Sequence, residues 1–186
     1  VDRELEALPS DSDLRKRKHN NRGLTSPELA TVMAHVKLGL KSDLLASELP
    51  DSDVFAPRLP KYFPAPLREP YAHAITSHPL RRQLVATALA NETVDCGGIT
   101  FVYRLAEDAG ATGTDAVRAF AAATAIFDLD ALWDEIRSAD LTAESSDALL
   151  LESRRVLDRV ARWLLANRPQ PLAVGAEISR YARKVA

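Results

Sequence analysis

At 186 residues the chain is one domain or a little more, long enough for a single core that buries about 70% of its unfolded surface. Hydrophobic residues at 46% and charged residues at 27% exclude a disordered chain, and no apolar run approaches the ~18 residues of a transmembrane helix. A net charge of −2, from 24 Lys plus Arg against 26 Asp plus Glu, excludes a global field drawing the chain to nucleic acid or acidic lipid.

Residues 1–24 read as a mobile basic arm or linker, and residues 25–186 as an all-helical domain. The arm holds two short helical pieces, 2–8 and 11–20, parted by Pro9-Ser10; the second has Leu14 as its one large apolar residue and carries Arg15, Lys16, Arg17, Lys18 and Arg22. So little apolar surface cannot offset ordering entropy. At Thr25 the pattern sharpens: Thr25 and Glu28 have capping-box spacing, Pro27 falls in the first turn, and Leu29, Val32, Met33, Val36, Leu40 and Leu44 form one stripe. That predicts an amphipathic helix of about six turns ending before Pro50.

Residues 50–79 hold seven of the eleven prolines, which excludes a long helix and predicts one-turn pieces. Tyr62, Phe63, Leu67, Tyr71 and Ile75 are expected to pin them to the core. His73 and His78 do not share a helical face, and no Cys or carboxylate completes a metal-ligand set.

From His78 to Gly110 the sequence predicts two helices meeting at Gly97-Gly98. Pro79 opens the first, with Leu80, Leu84, Thr87, Ala88 and Asn91 along one face; the second runs from Ile99 to Ala109 and is closed by Gly110. Asn91 sits between Thr87 and Asp95 on an apolar stripe. A buried amide needs partners, so Asn91 either bonds across to another helix, fixing register, or meets something outside the chain. Asn91 and Asp95, with Arg81 and Arg82 at the head of the same helix, are the candidate interface or register-fixing residues. Cys96 cannot form an internal disulfide, suits a reducing compartment such as the cytoplasm, and reads as a small helical residue in preference to a reactive thiol.

Residues 104–123 have the outline of a helix-turn-helix, with a turn at Gly110, a cap at Thr114 or Asp115, and Val117 and Phe120 inward. A DNA-recognition helix needs donors, and this one offers Arg118 among acids and alanines. Small residues at 121, 122, 123 and 125 suit close helix packing instead. Asp128 or Asp130 caps a helix through Ala139 with Leu132, Trp133 and Ile136 inward, inside an acidic stretch that carries seven acids and one arginine over 128–147. After an N-cap at 144–146, Leu150, Ser153, Leu157, Val160 and Leu164 align, with Leu149, Val156 and Trp163 beside them. That face is broad enough for two neighbours. Arg154, Arg155, Arg159, Arg162 and Arg168 on the same helix read as a solvated face. Residues 174–186 are helical in character and end without a cap, and the first residue is Val1; both features suggest a piece of a longer chain.

The predicted fold is therefore all-α: an irregular multi-helix bundle of about seven to nine helices, several short. Glycine-rich nucleotide loops, a nucleophile elbow and an H-E-x-x-H motif are missing from the sequence, so no catalytic, cofactor-binding or metal residue is assigned.

Four blocks carry a family resemblance: GLTSPELATVMAHVKLGLKSDLL (23–45), LPKYFPAPLREPYAHAITSHPLRR (59–82), HPLRRQLVATALANETVDCGGITFVYRLAEDAGA (78–111), and LDALWDEI with LLLESRRVLDRVARWLLANR (129–136, 149–168). In that order they resemble the C-terminal helical region of the large bacterial NAD-specific glutamate dehydrogenases, over nearly the whole chain. The resemblance implies a parent enzyme that oxidatively deaminates glutamate to 2-oxoglutarate and ammonium with NAD. Its nucleotide-binding fold and catalytic lysine and aspartate would lie upstream, so this part would be inactive alone and bind no NAD. The implied partners are the catalytic domain of the same chain and further copies in a homo-oligomer, with neither nucleic acid nor membrane. The rival reading is an autonomous α-helical binding module, with DNA bound through 104–123.

Overall fold

A computed structural model describes residues 3–185, and every regular element in it is helical. The α-helices are α1 (Asp11–His19), α2 (Ser26–Leu45), α3 (Arg58–Lys61), α4 (Ala65–Arg68), α5 (Ala72–Thr76), α6 (Arg81–Gly97), α7 (Phe101–Ala109), α8 (Gly113–Ile126), α9 (Leu129–Ser138), α10 (Ala143–Asn167) and α11 (Val174–Val185). Eight of the eleven have seven residues or more, and the other three are the one-turn pieces expected in the proline-rich segment. No described helix is long and apolar enough to cross a membrane.

α8 is the axis of the bundle. It touches α2, α6, α7, α9, α10 and α11, and residues 116–124 are buried without interruption. Alanines at 116, 119, 121, 122 and 123 allow this, because a methyl side chain lets neighbouring helices approach on every side. Ala125, also predicted to pack closely, is exposed. The one charge on this helix that is buried, Arg118, pairs with Glu48 and with Asp115 at 3.5 Å, as a buried cation must. Phe120 meets Phe101 edge-on at 6.0 Å, tying α8 to α7.

α2 and α6 pack along each other and form the second layer. The Glu28 half of the predicted capping box is present, with Thr25 N donating to Glu28 Oε2 at 2.7 Å. The stripe on α2 is buried only towards its C-terminal end, at Leu40 and Leu44; Met33 and Val36 are half-covered and Leu29 is exposed. On α6 the buried face is Val85, Ala86, Leu89, Ala90, Thr93, Val94 and Gly97, rotated from the predicted Leu80, Leu84, Thr87, Ala88, Asn91 line. The reason is tertiary: α2 and α8 both press on α6, so burial selects its most apolar flank, and Leu80 precedes the first turn.

Phe55, Leu59 and Ile75 anchor the proline-rich segment, whereas Tyr62, Leu67 and Tyr71 are exposed and Phe63 is half-buried. One-turn helices separated by prolines have no continuous face, so periodicity cannot say which aromatic turns inward. Leu129, not Leu132, joins Trp133 and Ile136 beneath α9, and Leu149 and Trp163 on α10 face outward. Two caps also lie earlier than predicted: Thr112 accepts from Asp115 N and Thr142 from Ser145 N, both at 3.2 Å. Asp128 occupies the N-cap position of α9, in left-handed backbone and without a side-chain bond to the helix.

The arm folds back along α2. α1 buries no residue; Arg17 Nη1 and Nη2 donate to Glu28 at 2.7 and 3.0 Å, and Glu6 lies 3.1 Å from His35 Nε2. The first predicted helical piece is a run of turns where described, and its Asp2, like Val1 and Ala186, lies outside the described residues. The Arg17 guanidinium first, then the Thr25 amide, hold the Glu28 carboxyl at about 2, below its ordinary 4.5. A depressed carboxylate stabilises the fold above the unfolded value and loses that contribution as pH falls through the folded one. Acidification from 4.5 to about 2 is therefore expected to release α1 first, read as faster amide exchange in 11–19 while α8 stays protected.

Candidate functional site

The site is set by the elbow between α6 and α7. Gly98 holds φ +94° and ψ 157°, a region open to glycine alone, and a Cβ on Gly97 would lie 2.9 Å from the Phe101 ring. Gly98→Ala is expected to cost about 1–3 kcal/mol in thermal unfolding, whereas Gly23→Ala, in open space with ordinary φ, should stay within about 0.5 kcal/mol. The elbow leaves carbonyls at the end of α6 that Arg154 of α10 caps, Nε to Cys96 O and Nη2 to Asp95 O, both at 3.0 Å.

Between the elbow, the N-terminal half of α2 and the outer face of α10 lies an open groove of about 690 Å³. Leu29, Met33 and Leu151 make its apolar walls, and Arg104, Arg154, Arg155 and Arg159 surround them. Its two acids are already engaged. Asp95 lies 2.7 Å from Lys37 Nζ; Asp158 lies 3.1 Å from Arg104 and accepts from Arg162 Nε at 2.8 Å. Past Arg159 a second, apolar hollow of about 400 Å³ opens between Phe127, Trp163 and Tyr181, where the Trp163 and Tyr181 rings meet edge-on at 5.8 Å.

Of the residues singled out from the sequence, Arg82 and Asp95 both bridge α6 to the α2 side. Arg82 Nη2 donates to Leu45 O at 2.8 Å and Ser47 O at 2.6 Å, and its guanidinium pairs with Asp51. Asp95 makes the Lys37 pair and also lines the groove. Arg81 is half-buried. Asn91 is half-buried too, on the wall of a separate polar hollow of about 500 Å³ with Glu92, Cys96 and Arg137. Burial pushes the Cys96 thiol up, against the pull of Arg137, so the sulfur stays protonated at neutral pH. The groove itself was missed because its arginines read as a solvated face; the signal was the four-residue spacing of Leu151, Arg155, Arg159 and Trp163, which puts apolar ends on a basic stripe.

A family model described as "Glutamate dehydrogenase, C-terminal" matches residues 21–186. The chain belongs to this family. It is 58% identical, over its whole length, to the NAD-specific glutamate dehydrogenase of Mycobacterium tuberculosis, covering 11% of that protein. The corresponding enzyme of Halomonas elongata is 39% identical over 90% of the chain, and that of Pseudomonas aeruginosa 34% over all of it, with 10% and 12% of each relative covered. This glutamate dehydrogenase C-terminal chain thus spans about a tenth of the length of the curated relatives it matches.

The relatives' names specify NAD, and Gly97-Gly98 do not form the phosphate-binding turn of a dinucleotide fold. A dinucleotide fold places glycines between a strand and a helix so that backbone amides meet the pyrophosphate. Gly97-Gly98 follow a helix, and the space a phosphate would need beside Gly97 is filled by Phe101. The segment 104–123 likewise lacks the form of a DNA reader. Its second helix is α8, buried along nearly its whole length at the centre of the bundle, with no free face for a groove.

Proposed function

We propose that the chain is the non-catalytic C-terminal helical domain of an NAD-specific glutamate dehydrogenase, which converts L-glutamate, NAD and water to 2-oxoglutarate, ammonium and NADH in the cytoplasm. The observation that carries this is 58% identity over the whole chain to an enzyme of that name roughly nine times longer. NAD binding and hydride transfer belong to upstream residues, and the domain's role is structural, in assembly or in regulation. Arg82 and Asp95 set the register of α6 against the α2 side, while Asn91 and Arg81 stand where α6 meets the rest of the enzyme or another subunit of a homo-oligomer. A tightly built helical core whose outer face carries open grooves suits a packing role of this kind.

The test is the full-length enzyme with and without the region matching 21–186, assayed for glutamate-dependent NADH formation and for mass in solution. Truncation should lower activity or change the subunit number, and the isolated chain should give no turnover. Unchanged mass and kinetics would remove the assembly role, and turnover by the isolated chain would remove the non-catalytic one.

A further inference from the structure

Resting on the reading of the chain as part of a longer enzyme, we infer that the groove between α2, the α6–α7 elbow and α10 docks an acidic, apolar-bearing segment of that same polypeptide. Charge argues for the acidic character. The groove's own acids are neutralised, Asp95 by Lys37 and Asp158 by Arg104 and Arg162. On its rim Arg155 pairs only with Glu152 of its own helix, and Arg159 has no ion pair among the described residues. Two exposed cations without counter-charges from another element attract carboxylates across an interface.

Apolar surface argues that the occupant is a chain segment and not an ion. Leu29 and Leu151 are 45% and 50% exposed on the two facing walls, and with Met33 they gather into one apolar patch inside a basic rim. Trp163, one α-turn beyond Arg159, extends the same stripe into the second hollow, and Trp and Arg are the side chains that most often anchor interfaces. Size argues for a tethered segment over a second copy. A stable association between separate chains buries about 1,200–2,000 Å², more than a groove with a few large apolar side chains provides. A segment of the same polypeptide acts at an effective concentration on the order of millimolar and needs far less contact.

The experiment uses the full-length enzyme with a benzoylphenylalanine cross-linker at Leu151, or at Leu38 on another exposed part of α2 for comparison. Irradiation should join residue 151, but not 38, to a net-acidic segment of the same polypeptide without doubling its mass. Adding Arg155→Glu and Arg159→Glu should cut that product about tenfold through like-charge repulsion. Both arginines are exposed, so the double variant keeps the core intact. A product linking two copies, for instance through the acidic 128–147 stretch, would overturn the inference; so would a basic or uncharged partner segment, or equal products from 151 and 38. Glutamate-dependent NADH formation by the same preparation reports separately on the parent-enzyme reading, since an active enzyme without the cross-link loses the docking site alone.

Discussion

Replacing Phe120 by alanine is expected to cost the chain roughly 3–5 kcal/mol, the range for truncating a fully buried phenylalanine. The upper half of that range applies because the site cannot collapse. Phe120 is 1% exposed in the middle of α8, flanked by alanines whose methyl groups have no further atoms to move into the void. It also loses the edge-on contact with Phe101, which closes the elbow against the core. Urea unfolding followed by circular dichroism should show the midpoint falling at constant slope. A loss under about 1 kcal/mol would mean that α8 is not the central helix.

The second large effect is expected at Trp133, which fastens the acidic helix α9 to α10. Its indole is 3% exposed, and Nε1 donates to Ser153 Oγ at 2.8 Å, while that hydroxyl donates in turn to Leu150 O at 2.8 Å. Trp133→Ala removes both the ring and the bond, at roughly 3–5 kcal/mol. Trp133→Phe keeps most of the ring and leaves Ser153 with its carbonyl acceptor, so the polar part of its loss should be near 1 kcal/mol. Equal losses for the two variants would show that the hydrogen bond, not the ring, holds α9. Because Trp133 also lines the hollow beside Asn91, the same variants should alter thiol labelling of Cys96.

Much of the fold was legible before any coordinates, for identifiable reasons. The capping glutamate at 28, the double glycine at 97–98 and the left-handed Gly110 each have one local solution, so their positions follow from residue type alone. The proline-rich segment was legible as to kind and not as to packing. Its prolines forced one-turn helices, but Phe55 and Leu59 took the core positions that Tyr62 and Tyr71 were expected to hold. The groove was the least legible feature. Its walls come from α2, the elbow and α10, more than a hundred residues apart in the chain, and each wall taken singly is an ordinary helix surface.

The sequence by itself determined that this protein is helical, where its helices break, and which family it belongs to, because capping, glycine conformation, proline chemistry and residue order are properties of short stretches. Only the tertiary structure decided that α8 lies at the centre, that α6 turns Val85 and Leu89 inward in place of Asn91, and that Leu151 and three neighbouring arginines face a groove. Those outcomes depend on which helices press on which, and the spacing within one helix, even where it marks a stripe, does not say what lies opposite it.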